Sequence, residues 1–567
     1  MSRFHENEIK KNIPTPPRPD YDEMWLRIDG EAAKRRAAGV VQAAPPARSR
    51  KKFIPAAIVF SCFMVAAVPV FAGVSFDWGK LYGGQSVTNA LNNDIGQRYD
   101  DLDVVRKGVT MSLKGVVTDG ERMKLLVVVD PVMKPGEYDD VRFDHVVIKD
   151  DSGKELPVNG GLSYDEKSGK LLGIYETNDT LKNSEKSYTL EAGKLVYLKN
   201  KEVVLKEAPK AGEIVSTGEA LYPSFKIESV RESQNLTDPM DQKGLIVRYN
   251  LTTTDEKNGD NYSPHLTVVS NREETKNVRT FIFPSKGTEM KREQLFNNMT
   301  EKEWSSSEIH FNYLKEIKQI EGDWSLHFKA DGKKASEAVY SKPLQTTAEF
   351  KDKTAMSLDH LTVTPLEIIV YPKDNEPVAN GVVRDKYAIS QYRDVRLKIG
   401  DQEISGYTTT KGDSPDNYRD VFVFQSPEWY KDWSKVPMKL ILRKPVVSAR
   451  DIKANWLKLD RPTAEKQSGD LDVNSFKFHF TYYMDGKDLV VESECNSENF
   501  KNMSQSMLRV DGKHMYPEHD PYDSGFDMPS KKIERYPDFS MKQSLEINPG
   551  FYYYSDPTRE AEITLQQ

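Results

Sequence analysis

The chain has 567 residues, 80 Lys and Arg against 87 Asp and Glu, a net charge of -7 and a mean hydropathy of -0.65. Residues 77–567 carry a net charge of -12, 68 basic against 80 acidic residues, which argues against recognition of nucleic acid, or of anionic wall polymers, by bulk charge. With only Cys62 and Cys495 present, a disulfide scaffold is excluded too, so any folded domain must rest on a hydrophobic core.

The N-terminal segment 1–52 carries 12 basic and 7 acidic residues. Its Pro-rich stretch to Pro19 is extended, and the pattern then predicts a helix over 20–38. Asp20 with Glu23 three residues on is a variant capping box, and Lys34, Arg35 and Arg36 suit the C-terminal end of the helix dipole. Tyr21, Trp25, Ile28 and Ala32 share one face. So short an amphipathic helix is marginal in water, so Tyr21, Trp25 and Ile28 need a covering partner. Two readings are open: docking into a groove of a cytoplasmic protein, or a solvated stub whose Trp lies on lipid headgroups.

From Phe53 to Phe76 run 24 residues without a charge, which as a helix span about 36 Å against about 30 Å of hydrocarbon. A transmembrane helix over 53–76 is predicted. A cleaved signal, with Val70-Phe71-Ala72 as its site, and a buried soluble helix are the alternatives; the 52 residues ahead of the run favour a retained anchor. The basic flank before the run puts the N-terminus in the cytoplasm and residues 77–567 outside.

Residues 77–107 are expected to be a juxtamembrane helical segment, because Val87, Leu91 and Ile95 recur at four-residue spacing. Beyond it, short alternating or apolar runs closed by turn residues predict a mainly β architecture. Val109, Met111 and Leu113 lead through Asp119-Gly120 into "MKLLVVVD". "SFKIESVRES" with "GLIVRYNLTTTD", "MSLDHLTVTPLEIIVYPKD", and "SFKFHFTYYMDGKDLVVESE" repeat that layout. Each opens a segment closed by another strand, "DWSLHFKAD", "PMKLILRKP" or "REAEITLQQ". Successive β modules, several of them β-sandwiches of Ig-like type, are expected: β domains at 108–212 and 448–567 and β-sandwich domains at 213–348 and 349–447. Cys495 continues the alternation of Leu489, Val491 and Ser493 and reads as a packed strand cysteine.

The tail helix, the anchor and "NALNNDIGQRYDDLDVVRKGVTMSLKGVVTDGERMKLLVVVD" together resemble a group of membrane-anchored proteins of Gram-positive bacteria. Its members, mostly a domain of unknown function, are described as negative effectors of extracytoplasmic-function sigma factors. The likeness is greatest over residues 20–150. It implies an anti-sigma-factor-like role, with the tail holding an extracytoplasmic-function sigma factor through Tyr21, Trp25 and Ile28 and the outer modules sensing the envelope. Zinc-containing anti-sigma domains carry a His with a C-x-x-C pair; this tail has His5 and no cysteine, which excludes that domain.

Catalytic signatures are not found: there is no G-x-S-x-G, H-E-x-x-H, G-x-x-x-x-G-K-[ST] or G-x-G-x-x-G. The chain is read as a non-enzyme with no catalytic residues, no cofactor and no metal. "DGKHMYPEHDPYDSGFD" gathers His514, Glu518, His519, Asp520, Asp523 and Asp527, but the spacing fits no calcium or zinc pattern, and a solvated acidic loop is expected. Trp429, Tyr430 and Trp433 in "EWYKDWSKVP" read as a loop packed over a sandwich end, with sugar stacking as the alternative. The functional expectation is a single-pass membrane regulator. An envelope-binding or structural protein without a regulatory tail, and a membrane-tethered hydrolase, are the alternatives.

Overall fold

The computed structural model describes residues 76, 78–181, 183–232, 244–255, 259–270, 273–275, 279–283, 287–373, 386–411, 419–451, 455–497, 499–517 and 531–567. The tail with Tyr21, Trp25 and Ile28, and the hydrophobic run up to Ser75, lie outside them. Among the described residues no helix is long and apolar enough to cross a membrane. The fold is mainly β.

Strand Val109–Thr118 and strand Arg122–Val129 form the expected hairpin around Asp119-Gly120, where Gly120 takes a left-handed φ of 92°. Asp119 Oδ1 accepts from the Glu121 and Arg122 N–H groups at 3.0 and 2.7 Å, and this pins the turn. The other three quoted layouts also pair as antiparallel neighbours: Ser224–Glu232 with Gly244–Thr252, Leu358–Val363 with Ile368–Pro372, and Phe476–Asp485 with Asp488–Glu494.

The Val109–Thr118 hairpin continues through Lys170–Asn178 to Val158–Asp165. It faces a second sheet ordered Trp324–Asp331, Glu185–Ala192, Val146–Asp150, Glu155–Leu156. Leu125, Val127, Tyr175, Leu190, Trp324 and Phe328 meet in the core between them. The long strands Leu195–Val204 and Glu308–Ile320 pair with each other and serve two cores. At one end Leu195, Tyr197 and Ile320 enter the first core; at the other Ile309, Phe311 and Tyr313 enter a second, closed by the sheet containing Ser224–Glu232 and Gly244–Thr252. Buried Gln294 clips that second pair of sheets together. Its Nε2 donates to the Leu266 carbonyl at 3.1 Å, and its Oε1 accepts from the Leu266 N–H at 2.8 Å.

The register therefore gives a nested arrangement. Trp324–Asp331, which the sequence reading assigns to the close of the 213–348 segment, pairs with Glu185–Ala192 of the preceding one. The same plan recurs downstream. Lys386–Ile399 and Met438–Asp451 pair over most of their length and carry Leu397, Leu440 and Leu442 into a third core. Ala449 belongs to a fourth, formed with Phe478, Leu489, Leu508 and Tyr552. The chain returns along Leu545–Ser555, and Ala561–Gln566 pairs with Met438–Leu442. Residues 78–331 and 340–566 are thus two halves that each insert a second core before the last strand returns to the first, the one built on four sheets and the other on a 12-stranded and a 4-stranded sheet.

The expected juxtamembrane helix is Gly84–Asn92, here α1, with Val87, Ala90 and Leu91 buried. It is shorter than its periodicity suggests. Asp94 adopts a φ of 59°, and at Gly96 a Cβ would come within 2.6 Å of Val117, so the chain turns there into the short strands Gln97–Arg98 and Asp103–Arg106. α1 covers Val117, Leu126, Val128 and Leu172 on the outer face of the first sheet. That second covering explains why "MKLLVVVD" is continuously apolar: Arg122–Val129 is buried on both faces.

Candidate functional site: a charged junction between the two halves

The two halves meet through buried charge. The Asp119-Gly120 turn delivers Arg122 to the edge of the first sheet, and a tight turn at Thr364, closed by its side chain on the Glu367 N–H at 3.0 Å, delivers Glu367 from the second half. The Glu367 carboxylate is 3% exposed. It takes both terminal nitrogens of Arg122, Nη1 to Oε1 at 2.7 Å and Nη2 to Oε2 at 2.5 Å, the paired geometry only a guanidinium offers. Lys411 Nζ reaches Glu367 Oε2 at 3.0 Å. Arg122 also touches Asp119 Oδ2 at 3.1 Å and Glu176 Oε1 at 3.3 Å, and buried Lys124 pairs with Glu176 Oε2 at 3.3 Å. Tyr407 OH lies 3.4 Å from Glu367 Oε1.

Burial alone would push the Glu367 carboxyl up, but the Arg122 guanidinium and the Lys411 ammonium hold it below the usual carboxylate range. Burial likewise disfavours the Arg122 charge, and Asp119, Glu367 and Glu176 more than reverse it. Nearby, burial and the carboxylates Glu121, Asp119 and Glu367 push the Tyr371 phenol up to about 12. Three carboxylates and three cations answer one another here. Such a balance suits a joint between two bodies, with charge neutralised internally.

The residues singled out from sequence fare differently. Tyr21, Trp25 and Ile28 lie outside the described residues, as do Glu518, His519, Asp520, Asp523 and Asp527. His514 is described and packs tilted against Trp456 at 5.6 Å. Among the described residues no group of three or more His, Cys, Asp or Glu is placed to hold a metal ion. Trp433 is buried, with Trp429 and Tyr430 edge-on to it at 5.5 and 5.0 Å, and all three pack on the third core. Cys495 is buried in the fourth core, where burial raises its thiol pKa. Arg122, Glu367 and Lys411 were not found from sequence. Arg122 and Glu367 stand 245 positions apart, and no spacing rule connects them.

No family model matches the chain, and no curated protein matches it. Among solved structures, one described as the crystal structure of the conserved domain protein from Bacillus anthracis is similar at 10% identity and a TM-score of 0.27. The match covers 65% of this chain and 82% of that one.

Proposed function

We propose that this chain is a single-pass membrane regulator that works by binding and tethering. Residues 53–76 anchor it. The cytoplasmic tail presents Tyr21, Trp25 and Ile28 to an extracytoplasmic-function sigma factor, and residues 77–567 form Ig-like β modules that receive an envelope signal. The observation that supports this reading is α1: the helix Gly84–Asn92 is packed against both halves of the β-rich unit, which favours coupling between them. The internally neutralised junction favours binding and coupling over catalysis. Tagged full-length chain, solubilised from membranes, should capture a sigma factor, and the Trp25→Ala chain should lose most of that capture. Equal capture of the same cytoplasmic proteins by both chains refutes tail docking. The second reading, an envelope-binding protein without a regulatory tail, draws on the same sheet-built unit. Retention of wall fragments by the full chain, with no tail partner captured, would establish it.

A further inference from the structure

α1 is held from two sides. Val87, Ala90 and Leu91 lie on Val117, Leu126, Val128 and Leu172 of the first half, and Leu366 of the second half belongs to the same cluster. From its other flank Asn89 Nδ2 donates to the Pro427 carbonyl at 3.0 Å, a second-half partner. At its C-terminal end the Leu91 carbonyl accepts from Arg98 Nε at 3.1 Å, a first-half partner. The turn before it is equally confined. Gly83 has a φ of 76°, and a Cβ there would lie 2.6 Å from Lys124 Nζ and 3.8 Å from Gln425 Nε2, one residue from each half. The helix itself has nine residues and no side-chain N-cap, too little to persist in water unsupported.

We infer that the strap Trp78–Ile95 is a coupling element whose order depends on the two halves remaining together. The Glu367 junction holds the second half in place, and that half supplies Leu366 and the Pro427 carbonyl to the strap. When the junction separates, the strap loses one of its two walls and loosens on the other. The state of the junction between the halves is thereby passed to residue 76, the last position of the expected anchor. This coupling is internal to residues 76–567 and stands independently of any tail partner.

Hydrogen exchange on the full-length chain in detergent micelles tests it. Glu367→Lys sets a third cation against Arg122 and Lys411 and drives the junction apart. Leu366→Ala removes the apolar contact without altering charge. In either variant the amides of Val87–Ile95 should exchange at least ten-fold faster, while those of Glu185–Ala192 and Gly244–Thr252 keep wild-type rates. The control strands also show whether a variant has folded. Wild-type protection of Val87–Ile95 in both variants would mean that the first half alone holds the strap. Acceleration spread evenly over the first-half sheets would mean that the strap is no separate unit. Either result overturns the inference.

Discussion

Glu367 is a carboxylate taken almost wholly out of water and kept ionised by two cations. A buried pair of this kind adds little net stability, because desolvation offsets most of the attraction. Removing one partner is different, since it strands the other. Glu367→Ala should therefore cost about 3–5 kcal/mol, read as a drop in the denaturant midpoint. The pH dependence follows from the direction of the shift. Glu367 is held below its ordinary value in the folded chain. Its contribution is complete above the unfolded carboxyl pKa of about 4.3 and is lost as pH falls through the lower folded value. Stability measured from about pH 6 down to about pH 3 should thus fall more steeply in the wild type than in Glu367→Gln. Equal slopes would show that Glu367 titrates normally. None of this was visible in "TPLEIIVYP", where Glu367 reads as a polar break between two apolar runs. Its partner is chosen by the approach of a distant turn.

At the scale of elements, local rules worked where the turn was local. Asp119-Gly120 and Asp485-Gly486 close hairpins because a glycine takes the left-handed backbone that each turn requires, with φ of 92° and 64°. The helix at Gly84–Asn92 was legible through Val87 and Leu91, and its early stop was not, since Gly96 is needed for a close approach to a strand twenty residues on. The strand Trp324–Asp331 was legible as a strand and silent about its neighbour. It closes the first core: Trp324 is fully buried, 5.4 Å from the Phe143 ring, and its Nε1 donates to the Val109 carbonyl at 3.1 Å. Trp324→Ala should cost about 3–5 kcal/mol. The loss should appear in exchange of Val109–Thr118 and Glu185–Ala192, with the Phe476–Asp485 hairpin unaffected. Exchange confined to residues near 324 would contradict this placement.

For the whole molecule, nesting makes distant parts of the chain depend on each other. Ala561, Ile563 and Leu565 are buried in the third core although the strands of the fourth core intervene in sequence. Deleting residues 561–567 should therefore expose Met438–Leu442 to rapid exchange while Phe476–Asp485 and Asp488–Glu494 stay protected. If those two strands fail together with Met438–Leu442, the inserted fourth core has no stability of its own. The sequence by itself determined the mainly β character and the paired hairpins, because alternation and turn chemistry act over a few residues. It also placed the one long apolar run and its flanking charge. Only the tertiary structure decided which strand closes which core, and that Arg122 and Lys411 converge on Glu367 beside the clasped helix. Strand partnership and ion pairing depend on which surfaces meet in space, and a period-two pattern is the same whichever neighbour lies alongside.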